Sequence, residues 1–334
     1  MKEVGIFMAR EVLIGPAISD LSSFNSAFLW KFIEIQGERE WLDNPPPVPS
    51  DIVVSVHSPA QGRDISSLNT EFRRFSIRET LRALKIVSRQ KAYTFVLHPG
   101  QFYERTNKAS IILDDYIYDT GYFWDRPEQR NVAMENFILS FQEIMNAIYN
   151  EGITAIVALE NLEYPRFPAD LYDLLYLRDR ITELGFNFYM VLDIPHLWHS
   201  MRIMKEGGRW QMGEISFIDY VEKLFKYFLQ DIVIVHLAGC KDHRTHEPIE
   251  YKESYAPSEL DMREVAGIIS RIRMPIVIET HSHITGLVRS TISLKRILSD
   301  YGIPVVCWRS NVEIDESKLE ENDIISRILK NHNI

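Results

Sequence analysis

FYMVLDIPH, residues 188–196, runs five apolar or aromatic positions into Asp193 and then, through a proline, to His196. A short apolar run bounded by a proline reads as a strand buried on both faces, with Asp193 at its C-terminal end. Five other runs share this form. VVSVHSP (53–59) reaches His57, TFVLHPG (94–100) reaches His98, AIVALEN (155–161) reaches Glu160, IVIVHLAG (232–239) reaches His236 and PIVIETH (275–281) reaches Glu279. In a parallel barrel the residue at a strand's C-terminal end projects into a shared mouth, so groups far apart in sequence become neighbours. Six such ends on one rim would build a multi-ligand metal site.

The spacing between these runs supports the same architecture. Short β-branched segments alternate with longer amphipathic ones, the pattern of repeated βα units around a parallel sheet. Strands are expected at 4–8, 52–57, 93–98, 153–160, 187–193, 232–237, 275–279 and 303–308. Helices are expected at 24–36, 70–91, 127–150, 169–184, 214–229, 261–272, 289–300 and 317–331. In 70–91, Phe72, Phe75, Ile77, Leu81, Leu84 and Val87 recur at helical spacing. A length of 334 residues with 46% apolar content fits one α/β domain over 1–334, a single (β/α)8 barrel. PPPVP at 45–49 reads as a stiff surface connector. Residues 101–126 form a long loop after the third expected strand, of the kind that shapes substrate access, and their seven aromatics suit stacking on a sugar or base as well as a self-packed lid.

Composition narrows the chemistry. Cys240 and Cys307 are the only cysteines, too few for a disulfide scaffold or a thiolate zinc module, so a metal would be held by imidazole and carboxylate. No stretch approaches the roughly 20 apolar residues of a membrane span, and the first residues lack a signal peptide's apolar segment, so a cytoplasmic protein is expected. The net charge of −10 argues against a broad basic face for nucleic acid, although bound cations would reverse the field at the mouth.

Glu160, Asp193, His236 and Glu279 end the fourth to seventh expected strands and make an oxygen and nitrogen set suited to zinc, manganese, cobalt or magnesium. His57 and His98 end the second and third, opposite Glu160, and would hold another ion with that carboxylate as the bridge. Asp193 and His196 form a DxxH unit facing one cavity, and His246 in GCKDHRTHEP would join His196 at a third ion. Gln101 and Asn161 lie where they would orient ligands from behind. Arg244 is placed to clamp a phosphate. His199, His243, His281 and His283 fit an exposed role as well as a proton-shuttling one.

The order VHSP, LHPGQF, ALENLE, LDIPH, VHLAG and IET over residues 57–280 resembles the xylose isomerase-like TIM barrels, most closely endonuclease IV (AP endonuclease family 2). That resemblance implies a trinuclear zinc phosphodiesterase acting at abasic sites in DNA. It implies that His57, His98 and Glu160 hold one zinc, Glu160, Asp193, His236 and Glu279 a second, and His196 with His246 a third. The chain departs from the pattern where an Asp two positions before the last His is replaced by Arg244, which leaves Asp242 to complete the third site. HPGQF also resembles the UV-damage endonucleases, but the lysine they carry two positions before the strand-six histidine is Ile234 here. Sugar isomerases and epimerases of the superfamily match only at Glu160, Asp193, His236 and Glu279.

The reaction expected is metal-assisted hydrolysis of a phosphodiester in damaged DNA. Glu160 and Glu279 would serve it as catalytic carboxylates, and Arg244 would stabilise the leaving oxygen. The alternative is a divalent-metal sugar isomerase or epimerase in which Glu160 and Glu279 relay a proton across the substrate carbon. Two or three ions per chain are expected for the first and one for the second.

Overall fold

Most of the β-branched runs become strands and most of the amphipathic stretches become helices in the computed structural model. It describes residues 11–18, 29–37, 48–59, 63–100, 110–113, 116–119, 127–164, 166–241, 244–247, 249, 260–280 and 284–309. In chain order the elements are β1 (Val12–Ile18), β2 (Phe32–Gln36), β3 (Val53–His57), α1 (Thr70–Gln90), β4 (Thr94–Leu97), β5 (Ser110–Leu113), β6 (Tyr116–Asp119), α2 (Pro127–Asn150), β7 (Ile156–Glu160), α3 (Leu171–Glu183), β8 (Met190–Asp193), α4 (Ile194–Glu206), α5 (Phe217–Phe228), β9 (Ile232–Leu237), β10 (Gly239–Lys241), β11 (Arg244–Glu247), α6 (Met262–Ile269), β12 (Ile276–Ile278), α7 (Ile284–Asp300) and β13 (Val305–Val306). The main sheet runs β12-β9-β8-β7-β4-β3-β2-β1, and β1 pairs back to β12, which makes a (β/α)8 barrel. Among the described residues no helix is long and apolar enough to cross a membrane.

The chain forms two compact units, one of Met1–Ile33, Pro49–Ile52 and Ile215–Ile334, the other of Glu34–Val48 and Val53–Glu214. In the second unit β3, β4, β7 and β8 pair in parallel, with His57 beside Val96, Val96 beside Ala158 and Glu160 beside Val191. Side chains alternate between faces. This register therefore puts His57, Glu160 and, two residues past Val96 and Val191, His98 and Asp193 on one face. Val54, Val56, Phe95, Leu97, Val157 and Leu159 face the other way and are buried, each side chain contributing roughly 1.5–3 kcal/mol. Helix ends are closed locally. The Asn69 side chain caps α1, Asp170 caps α3 and Asp193 caps α4 by accepting from the His196 amide.

In the first unit β1 pairs with β12 through Ile14, Gly15 and Pro16, and β12 pairs with β9, setting Val277 beside His236. β13 adds only two residues to β1, at Val12 and Leu13.

Four expectations change. The strand expected at 303–308 shrinks to β13 and is not a stave of the barrel. The helix expected at 24–36 contains strand β2 instead, because the alternation in FIEIQ serves a pleat as well as it serves a helical stripe. β1 was hidden by Gly15 and Pro16, which normally punctuate strands. A Cβ on Gly15 would sit 1.8 Å from the Phe32 carbonyl oxygen, so the close approach itself demands glycine. Glu160, Asp193, His236 and Glu279 therefore end the fifth to eighth staves, and β4 is the direct neighbour of β7, so His98 lies beside Glu160 rather than opposite it. Helix α4 and the antiparallel β5–β6 hairpin inside 101–126 are additional elements. The expected strand 4–8, the expected helix 317–331, and Gln101, Asp242, His243, His281 and His283 lie outside the described residues.

Candidate metal centre

Three adjacent staves carry the first ligand set. Nε2 of His57 lies 3.0 Å from Oε2 of Glu160, and Nε2 of His98 lies 2.8 Å from the same oxygen. The two rings meet edge to face, 4.5 Å between centroids. His57 and Glu160 are buried, and His98 is nearly so. Nδ1 of His57 donates to the Ser58 carbonyl at 2.7 Å, so a neutral His57 turns the lone pair of Nε2 toward a carboxylate oxygen. Burial holds His98 down at about 4, against the pull of the Glu160 charge, so His98 is a neutral imidazole at pH 7. With its Nδ1 proton on the Ser58 carbonyl, a neutral His57 sets a bare Nε2 against the carboxylate oxygen, a contact that a divalent ion between them would turn into coordination. The three donor atoms lie within 4.8 Å of one another.

The strand ends are braced from behind. The Gly37 amide donates to the His57 carbonyl at 2.8 Å, and a Cβ on Gly37 would lie 2.5 Å from that oxygen. Gly37→Ala should force the end of β3 aside, costing about 1–3 kcal/mol and weakening metal binding at His57. Thermal melting and metal titration of the variant check this, and an unchanged melting point with native affinity would refute it. Gly100 is likewise pressed against the Phe167 ring, 2.4 Å from a Cβ placed there.

The Asn161 amide makes a reciprocal pair with the Asp193 backbone, donating to its carbonyl and accepting from its amide at 2.8 Å each. This ties the ends of β7 and β8 together, the orienting role expected of Asn161. His196, one turn beyond Asp193, sets Nδ1 3.2 Å from the Asn161 carbonyl, 3.4 Å from Glu160 and 3.5 Å from Asp193. Burial opposes a charge on His196, but the Asp193 and Glu160 carboxylates outweigh it and lift the ring to about 9. His199 is committed to Glu163, Nδ1 to Oε2 at 3.0 Å, and not to the ligand set.

In the other unit, Nδ1 of His236 lies 3.1 Å from Oε2 of Glu279, and Nδ1 of His246 donates to the Glu279 carbonyl at 3.0 Å. A neutral His246 then carries its lone pair on Nε2. His246 takes φ of +66°, uncommon for a residue with a Cβ, on the β10–β11 hairpin. Arg244 is on the same hairpin, but its side chain lies outside the described residues. Glu163 and Arg166 were overlooked in the sequence, although Glu163 stands inside ALENLE, three residues after Glu160.

The family model described as the xylose isomerase-like TIM barrel matches residues 49–297. No curated protein matches the sequence. Among solved structures the fold is similar to a D-tagatose 3-epimerase-like protein (TM-score 0.60, 17% identity, 87% of this chain and 98% of that one). It is also similar to 3-keto-D-glucoside 4-epimerase from E. coli (0.54, 13%, 86% and 100%) and to endonuclease IV from Thermus thermophilus (0.50, 11%, 86% and 99%). With the barrel, its strand-end donors and a family match over most of its length, the chain belongs to the xylose isomerase-like TIM barrel family.

Proposed function

We propose that the protein is a divalent-metal-dependent phosphodiester hydrolase acting on abasic or otherwise damaged DNA. The observation that carries this reading is the convergence of His57 and His98 on one oxygen of Glu160. A sugar-converting barrel needs only the set Glu160, Asp193, His236 and Glu279, so two further imidazoles, His57 and His98, on the same Glu160 oxygen point to more than one ion. In this reading His57, His98 and Glu160 hold one ion, Glu160, Asp193, His236 and Glu279 a second, and His196 with His246 a weaker third. Zinc fits the imidazole-rich donors best, with manganese, cobalt or magnesium as other fits. When bound, the ions supply Lewis acidity and bring water's pKa toward neutrality. Glu160 holds the two sites in register, Asn161 keeps the Asp193 strand end from shifting, and Glu279 stays placed by His236. Arg244 meets the leaving oxygen.

The second reading is a sugar isomerase or epimerase, favoured by the four-residue set, in which Glu160 and Glu279 exchange a proton with the substrate carbon. Elemental analysis of purified protein, with assays on an abasic-site duplex and on a ketohexose, separates the two. Two or three ions with strand cleavage is the expected result. One ion with sugar turnover and an intact duplex would reject the hydrolase.

A further inference from the structure

The interior of a (β/α)8 barrel is ordinarily filled by layers of branched apolar side chains. One layer below His57 this chain breaks that pattern. Glu34 on β2, Ser55 on β3 and Thr94 on β4 are all fully buried, and they come from three adjacent staves. The register sets Ser55 beside Thr94, two residues before the pair of His57 and Val96, so both side chains stand on the face that carries the strand-end donors. Glu34 meets that face through its side chain, since Ser55 Oγ donates to Glu34 Oε2 at 2.9 Å. The polar row stops at β7, where Ile156 lies beside Thr94.

Ser55 gives its proton to Glu34, which leaves the lone pairs of Oγ to accept. Thr94 Oγ1 is buried and has no hydrogen-bond partner among the described residues. A hydroxyl shut away without a partner is destabilising, so such groups are nearly always paired with protein or with an ordered water. Neighbouring strands stand about 4.8 Å apart. One water closes that span with two hydrogen bonds of about 2.8 Å each, meeting at a tetrahedral angle. A buried water commonly makes about three hydrogen bonds, and Thr94, Ser55 and the Glu34 carboxylate offer that many oxygens. We propose that a buried water is bound in the barrel floor between these three residues, accepting from Thr94 Oγ1 and donating to Ser55 Oγ and the Glu34 carboxylate. The bridge ties β3 to β4 beneath His57 and His98. It is built from the protein's own side chains and depends neither on the number of ions above it nor on the reaction they serve.

High-resolution crystal structures and thermal melting of the wild type and two variants test it. The wild-type crystal should show one water within hydrogen-bond distance of both Thr94 Oγ1 and Ser55 Oγ. Thr94→Val keeps the shape of the side chain and removes only the hydroxyl's bonding, so this variant should lose that water and melt lower by about 2 °C or more. Thr94→Ser, which keeps the hydroxyl, should keep the water. The sign of the Thr94→Val shift is the sharp readout, because deleting a hydroxyl that has no partner relieves a buried polar group and raises the melting point. A Thr94→Val protein that melts at or above the wild-type temperature would overturn the proposal, as would a wild-type crystal with no ordered density bonded to Thr94 Oγ1. Anomalous scattering at this position from crystals soaked in rubidium chloride would also overturn it, since it would mark a monovalent cation in place of water.

Discussion

Glu160→Gln should abolish activity and strip the centre of metal, the largest single effect expected in this protein. The substitution preserves size and shape but removes the charge that His57 and His98 approach at 3.0 and 2.8 Å and that His196 meets at 3.4 Å. A bridging carboxylate serves two ions where each imidazole serves one, so its loss removes electrostatic stabilisation worth several kcal/mol. The rate should fall by about 10³-fold or more. Elemental analysis should show at least one ion fewer per chain. Because Glu160 is fully buried, the amide also leaves donors facing imidazole, and the melting point in chelator should shift. Full turnover with native metal content in this variant would remove Glu160 from the centre.

Replacing His57 or His98 with Ala should have the next largest effect and separates the two enzymatic readings. In the hydrolase each is one of three donors to one ion, so either variant should lose about one ion per chain and nearly all phosphodiester cleavage, again about 10³-fold. The remaining set of Glu160, Asp193, His236 and Glu279 needs neither residue. A sugar isomerase carrying these changes should keep one tightly held ion and most of its turnover. His57→Ala removes a buried ring that also donates to Ser58, so His57→Gln serves as the companion variant with less packing loss. Retention of one ion and normal ketose turnover in both His57→Gln and His98→Ala would make the sugar enzyme the answer.

The strand-end positions of the candidate donors were legible in the sequence to a large extent, because they obey a local rule. An apolar run long enough for a strand, followed by His, Asp or Glu and then Pro, Gly or Asn, marks both the end of the stave and the direction of the side chain. His98 and Glu160 follow that rule directly, and His57 and Asp193 follow it with one residue, Ser58 or Ile194, before the proline. Asp193 shows how local the signal is, since it caps α4 through the His196 amide while turning its other oxygen to the His196 ring.

What only the tertiary structure decided is pairing and neighbourhood. FIEIQ at 32–36 has too short an alternation to separate pleat from helix, and it is parallel pairing in the sheet that settles β2. VLIGPAI at 12–18 becomes a strand against its Gly and Pro because Gly15 allows an approach to the Phe32 carbonyl that no Cβ would permit. The adjacency of β4 and β7, which brings His98 to the side of Glu160, depends on the 58 residues between Leu97 and Ile156 leaving the sheet order unbroken. The pairing of His199 with Glu163, 36 residues apart, carries no motif and exists only because the loop after β7 folds against α4. Sequence carries the identity and the end-of-strand position of each donor. Which donors meet follows from strand order and loop packing, because Coulomb energy depends on distance and burial and not on separation along the chain.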